Sequence, residues 1–452
     1  MNRATEATGP GSAVSRRAPR GDTAITVVES LTHDARGVAH IDGKTTFIEG
    51  ALPGERVRFR YHNKRPRYDT GTTLEVLEPS SDRIEPPCPH YSSCGGCSLQ
   101  HLAAPAQVRA KQKILAETLE HVGRVEPRQW LAPIEGPPTG YRRRARLGVR
   151  FVPKKGGVLV GFRERRHSYI TPLDSCLTLD PRLGALLPPL RDTIGRLSRP
   201  DRMPQVELSA ADSGCAAVFR HLEPLTPADL EHLRLFAETN AITAYLQPGN
   251  PSTVHALWPR PAPVLSYYLP DFDVNLAVAP TDFIQVNGAV NRQLVTQAVT
   301  LLELIPADRA LDLFCGLGNF TLALARHAGY VFGVEADAGL IERARANART
   351  NALANVEFQA ADLYGDDGLE FLSGRWTKLL LDPPRAGAME VIKALPADGP
   401  QRIVYVSCNP ATLARDSEYL VRVLGYRLEA AGVADMFPQT SHVESIALFV
   451  RA

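Results

Sequence analysis

A thiol stands at the end of an apolar run in Val404-Tyr405-Val406-Ser407-Cys408-Asn409-Pro410. The run has the length and branched content of a buried strand, and the following Asn-Pro pair enforces a turn, so Cys408 is held at a strand end. A free cysteine is by default a small buried hydrophobe whose reactivity must come from its surroundings. Other strand ends supply them. Leu379-Leu380-Leu381 stops at Asp382, in Asp382-Pro383-Pro384-Arg385, and His442-Val443-Glu444 opens a last strand with a carboxylate. A solvated strand-end glutamate is the plain alternative for Glu444. Cys408 is read as a catalytic nucleophile that shares one crevice with Asp382.

A second set of residues suits a small molecule. Arg309 to Leu313 reads as a strand, Phe314-Cys315-Gly316-Leu317-Gly318-Asn319 as a glycine turn, and Phe320 as the start of a helix. Gly316 and Gly318 let a ligand approach the backbone, and Glu335, at the end of the next strand, can accept both ribose hydroxyls. The third glycine of the dinucleotide fingerprint is replaced by Phe320-Thr321. That favours S-adenosylmethionine, which has no pyrophosphate to seat. Asp362, after the strand Val356-Glu357-Phe358, is expected near the adenine. Cys315 reads as packing.

A third set is rich in sulfur. Cys88-Pro89-His90-Tyr91-Ser92-Ser93-Cys94-Gly95-Gly96-Cys97 wraps three thiols into one loop, and Cys176 is the natural fourth. Four thiolates suit zinc or a four-iron cluster, and spacing alone does not separate the two. The chain holds 7 cysteines and no secretory core, which argues for metal or catalytic thiols over a disulfide framework.

These residues need elements to hold them. At 452 residues the chain is long enough for two to three domains. With 44% apolar and 22% charged residues and no bilayer-length apolar run, it reads as a soluble, cytoplasmic, globular protein without a membrane partner or an obligate protein partner. Residues 1–20 read as a disordered basic leader, with a transit peptide as the weaker reading. From 21 to 80, short strands alternate with turns such as Asp42-Gly43 and Pro53-Gly54, the pattern of a small β-barrel. There Arg56-Val57-Arg58-Phe59-Arg60-Tyr61 alternates strictly, so the arginines share one face. With few acids interleaved, that face is expected to meet an RNA backbone, although charge runs are usually solvated.

Residues 81–286 form a central, strand-rich stretch. It contains an expected helix over 105–122 and Tyr141-Arg142-Arg143-Arg144-Ala145-Arg146, again suited to phosphate contact unless salt-bridged. From 287 to 452 helices and strands alternate, the pattern of a parallel sheet covered on both faces. The net charge of only +2 by itself predicts no nucleic-acid partner.

The barrel-like start, Cys88/Cys94/Cys97/Cys176, the glycine turn, Leu381-Asp382-Pro383-Pro384-Arg385 and Ser407-Cys408-Asn409-Pro410 together resemble the RNA uracil-5 methyltransferase family. The resemblance covers nearly the whole chain after residue 20 and is nearest to members acting on 23S ribosomal RNA. It implies a Rossmann-like, S-adenosylmethionine-dependent α/β methyltransferase domain behind an OB-like (TRAM) barrel and a central domain carrying a [4Fe-4S] cluster on the four cysteines. By matching motif positions, it also implies that Gln285, Phe314, Asn319, Glu335, Asp362 and Asp382 line the methyl-donor and uracil site.

The chemistry explains this choice of residues. C5 of uracil is too weak a nucleophile to be methylated directly, so a thiolate, here Cys408, must first add at C6. A base must later remove the C5 proton, and Glu444 is the candidate. A stacked base cannot present C5 and C6, so the uridine must be single-stranded or flipped out. Competing readings are a transfer-RNA uracil-5, cytosine-C5 or adenine-N6 methyltransferase, or an RNA-binding iron-sulfur protein without catalysis.

Overall fold

The computed structural model describes residues 16–17, 21–365 and 369–451. Apart from Arg16–Arg17, a short strand paired with Asn63 and Lys64, the expected leader lies outside the described residues. The chain divides into two compact units: the stretch up to Glu85 with His101–Ala106, and Pro86–Gln100 with Gln107–Ala452.

The first unit is built on a seven-stranded sheet. Along Arg56–Lys64 exposed and buried residues alternate as expected, and Val57, Phe59 and Tyr61 join Val28, Ala39 and Ile48 in a small core. One expectation needs correcting. The arginine face is not left without acids, because the antiparallel strand Tyr68–Glu78 brings Glu78 to Arg56 at 3.0 Å and Glu75 to Arg58 at 2.5 Å. Acids absent from the run itself arrive across the ladder.

The second unit contains two large sheets. The strands from Arg144–Val152 to His255–Trp258, with their hairpin partners, make a mixed seven-stranded sheet. Here too the arginines are largely paired: Arg143 with Asp212 at 2.8 Å, and Arg144 and Arg146 both with Glu207 at 3.1 and 2.9 Å. The salt-bridged alternative holds for these three.

The other sheet has eight strands, in the order Val356–Ala360, Tyr330–Glu335, Arg309–Leu313, Lys378–Leu381, Arg402–Ser407, Glu444–Arg451, Tyr426–Ala434 and Gln129–Trp130. The first five are parallel and Glu444–Arg451 runs against them. Gln129–Trp130, from the central stretch, pairs in parallel with Tyr426–Ala434. Both faces are covered. Along Arg402–Ser407, Val404 and Val406 join one apolar core with the helix Gly288–Leu302, while Ile403 and Tyr405 join another with the helix Pro410–Arg422. A strand buried on both sides reads as a continuous apolar run.

The chain leaves Arg309–Leu313 towards one edge of the sheet and returns at Lys378–Leu381 on its other side. That reversal of strand order opens a crevice at the carboxyl ends, the place where ligands bind in such sheets. Among the described residues, no helix is long and apolar enough to cross a membrane.

Candidate active site

Cys408 is fixed by the turn that comes after it. Asn409 caps the helix Pro410–Arg422 by accepting from Ala411 N at 3.2 Å, and Pro410 takes the first helical position, where an N–H is not needed. Asn409 Nδ2 also donates to Arg385 O at 3.0 Å, which joins this turn to the Asp382-Pro383-Pro384-Arg385 segment.

Opposite lies the start of the last strand. Arg402–Ser407 and Glu444–Arg451 are antiparallel with Ser407 facing Ser445, and Ser445 Oγ donates to Ser407 O at 3.1 Å. The ladder ends at that pair. Cys408 follows Ser407 on one side and Glu444 precedes Ser445 on the other, and the Glu444 carboxyl is near enough to raise the Cys408 thiol. Because this strand runs against its neighbours, its first residue reaches the edge where theirs end.

Asp382 completes the group from the end of Lys378–Leu381. Burial, then the nearby Asp382, holds the Glu444 carboxyl well above its usual range. Burial pushes Asp382 up to about 7. The Cys408 thiol is pushed up to about 11 by burial and then by Glu444 and Asp382, with the Arg385 guanidinium opposing. In the free protein at neutral pH, Cys408 is therefore a thiol.

The glycine turn lies across the strand-order reversal. Phe314 takes a left-handed conformation (φ 64°), unusual for a residue with a side chain, and Gly316 and Gly318 continue it with φ of 56° and 98°. A Cβ built at Gly316 would meet nothing within 4 Å, so the turn has an open face. Glu335 Oε2 accepts from Gly316 N at 3.2 Å, while Oε1 accepts from Ala336 N and Asp337 N at 2.9 and 3.1 Å. With two lone pairs on each oxygen, Oε2 can still accept from a ribose hydroxyl.

Asn319 exchanges two side-chain hydrogen bonds with Asn291, at 2.9 and 3.0 Å, and its Oδ1 accepts from the Tyr267 hydroxyl at 2.9 Å. Its amide thus ties the turn to the helix Gly288–Leu302. Half-buried Gln285 lies just before that helix, in a segment held by Arg143 N donating to Val286 O at 2.8 Å and by the Asn287 cap. Asp362 is exposed and accepts from Tyr364 N at 2.9 Å; the Tyr364 ring lies 5.7 Å from that of Phe314. Cys315 is buried, in keeping with a packing role.

Cys88, Cys94, Cys97 and Cys176 lie apart from this crevice and line one cavity of about 90 Å³, with Arg142 in its wall. Gly95 is needed there, because a Cβ would meet Arg163 O at 2.9 Å. Burial pushes Cys97 up to about 11, and the other three thiols add to the effect. Among the described residues, no three Cys, His, Asp or Glu side chains are gathered tightly enough for a single metal ion. Four cysteines on one cavity are a donor set that suits zinc as well as a four-iron cluster.

Sequence reasoning missed three features. These are the Asn291–Asn319 pair, the Tyr364 ring on Phe314, and buried Asp312, whose Oδ2 accepts from the Thr321 hydroxyl at 2.5 Å. A carboxylate inside the apolar strand Arg309–Leu313 was the visible signal for the last.

A doubly wound sheet with an open glycine turn and a carboxylate on the next strand end defines an S-adenosylmethionine-dependent methyltransferase fold. Known proteins agree with this class. The tRNA (Uracil-5-)-methyltransferase family model matches residues 273–452 and the TRAM domain model residues 21–74. The crystal structure of Pyrococcus abyssi tRNA (uracil-54, C5)-methyltransferase in complex with S-adenosyl-L-homocysteine is similar with a TM-score of 0.71 and 25% identity, over 94% of this chain and 100% of that one. The 23S rRNA (uracil(1939)-C(5))-methyltransferase RlmD of Aromatoleum aromaticum is 52% identical over 94% of this chain and 99% of its own length. That of Thiobacillus denitrificans is 51% identical over 93% and 98%. The chain belongs to the RlmD family of RNA uracil-5 methyltransferases.

Proposed function

We propose that this protein methylates C5 of a uridine in 23S ribosomal RNA in the cytoplasm, at the position its relatives are named for, with Cys408 as nucleophile and Glu444 as base. The observation that carries the reading is the meeting of a thiol with two buried carboxyls. Where the ladder of Arg402–Ser407 and Glu444–Arg451 ends, at the carboxyl edge of a methyltransferase sheet, Cys408 lies close enough to Glu444 and Asp382 for both to raise its proton affinity.

Each residue has its own part of the work. Cys408 passes its proton to the nearby Asp382 carboxylate and adds through sulfur to C6 of a flipped-out uracil, which makes C5 nucleophilic. Asp382, held near 7, can donate from its neutral form to the oxygen where enolate charge develops, as a carboxylic acid kept neutral by an apolar site does. Gln285 hydrogen-bonds the same uracil edge. Phe314, Asn319, Glu335 and Asp362 hold or frame the methyl donor, with Glu335 Oε2 on the ribose. Bound S-adenosylmethionine supplies the electrophilic methyl group. Glu444 then takes the C5 proton, and a carboxylate with raised proton affinity is the stronger base for it.

The four cysteines are proposed to hold a [4Fe-4S] cluster, supported by the four thiols on one cavity. Purified protein should then contain iron and acid-labile sulfide in equal amounts, and zinc in their place would sink this assignment. For the catalytic reading, labelled S-adenosylmethionine is incubated with unmethylated 23S RNA. Label recovered as 5-methyluridine supports it, and its absence ends it.

A further inference from the structure

Residues 435–443 join the strand Tyr426–Ala434 to Glu444, and this loop is pinned from several directions. Lys111 is 1% exposed and donates to Asp435 Oδ1 at 2.6 Å and Phe437 O at 2.9 Å. Gln107 accepts from Gln439 N at 2.8 Å and donates to Gln439 Oε1 at 3.0 Å. Gln439 O accepts from Ser98 N and Leu99 N, both at 3.0 Å, and Ser98 Oγ accepts from Ser441 N at 2.9 Å. The Tyr141 hydroxyl donates to Pro438 O at 2.8 Å. Gln439 is held in a left-handed conformation, φ 69°, which costs free energy for a residue with a side chain.

A loop that only closed a hairpin would need none of this. Burying a lysine–aspartate pair is seldom the most stable use of the space, and such pairs are better explained where one geometry must be chosen over its neighbours. Glu444 comes immediately after the loop. Its backbone is paired across the hairpin with Ala434, so the conformation of the loop between them sets how the Glu444 carboxyl is presented at the strand's start.

We infer that Gln107 and Ser98 are positioning residues for proton removal: through residues 435–443 they hold the Glu444 carboxylate against the adduct on Cys408. This rests on the reading of Glu444 as the base. In that step the C5–H bond breaks and its electron pair forms the C5=C6 double bond. The C6–S bond breaks, its pair leaves on Cys408 Sγ, and the proton passes to Glu444. Addition and methyl transfer come earlier and need no base at C5. Ser98 lies directly after Cys97, so the cysteine loop supplies one of the anchors.

The test separates the two halves of the cycle in the full-length protein. With 5-fluorouridine RNA the adduct forms but cannot be released, so its rate reports addition and methyl transfer alone; with ordinary RNA, release counts as well. Gln107→Ala and Ser98→Ala should form the fluorinated adduct within about twofold of the wild-type rate. On ordinary RNA their turnover should fall ~10- to 100-fold, the scale of a displaced catalytic group, with denaturant-stable protein–RNA adduct accumulating. Ser98→Thr, which keeps the hydroxyl, should stay near wild type. Equal loss of both rates, or of neither, overturns the inference. Glu444→Gln is the control. If it accumulates adduct and Gln107→Ala does not, only the tether is wrong; if it turns over normally, the base assignment falls and the tether with it.

Discussion

Cys408 and Cys97 are both pushed up to about 11, and in both burial is the first cause. Their neighbours differ. Cys408 faces the carboxyls of Glu444 and Asp382, whereas Cys97 faces Cys176, Cys94 and Cys88. Proton affinity in the free protein therefore does not tell the proposed nucleophile from a proposed metal ligand. Carboxyls can take and return protons, so a thiolate beside them can be made and unmade in every cycle. A ring of thiols has no such base, and its protons leave for good only when positive charge arrives to replace them.

The sharpest way to break this contrast is to exchange the fates of the two thiols. Cys408→Ser should lower methyl transfer by roughly 10⁴-fold or more, as loss of a covalent nucleophile does, with iron content unchanged. Cys97→Ser should do the reverse. Its iron and sulfide should fall to background and its melting temperature drop by ~5 °C or more, while the fluorinated adduct still forms at Cys408. A Cys97→Ser protein with full iron content would remove the distinction.

A finer probe is pH. The Cys408 thiolate fraction grows tenfold per unit below its titration point, while the neutral form of Asp382 falls tenfold per unit above about 7, so the rate of fluorinated-adduct formation should rise by up to about tenfold per unit below roughly pH 7 and level off above it. A rate that kept rising to about pH 9 would mean that Asp382 need not be neutral.

The smallest effect concerns Asp382. Its folded-state value, about 7, is above the usual 3.8, so its contribution to stability is full in acid and is lost as pH rises through about 7. Asp382→Asn has no proton to lose. It should melt roughly 2 to 5 °C above wild type at alkaline pH and level with it in acid, while losing methyl transfer.

Much of the site was legible because strand ends announce themselves. Apolar runs that stop at Asp382 and Cys408, and glycines at 316 and 318, mark a carboxyl edge in the sequence itself. The approach of Glu444 to Cys408 was not legible, since it depends on where an antiparallel strand that arrives last begins. Nor was the Gln107–Gln439 bond, whose partners lie 332 positions apart. The acidic partners of the arginine runs were hidden for the same reason. Glu75, Glu78, Glu207 and Asp212 neutralise them from neighbouring segments, and local composition is blind to cross-strand partners.

Those ion pairs bear on how RNA binding should respond to salt. Each cation that meets a phosphate steepens the fall of affinity with ionic strength, by about 0.7 in logarithmic slope on a single strand, provided it was free beforehand. Arg56, Arg58, Arg143, Arg144 and Arg146 already hold carboxylates. Added salt loosens those internal pairs while it competes for phosphate, so the two effects oppose each other. Grip on RNA should weaken with salt more gently than the number of arginines suggests.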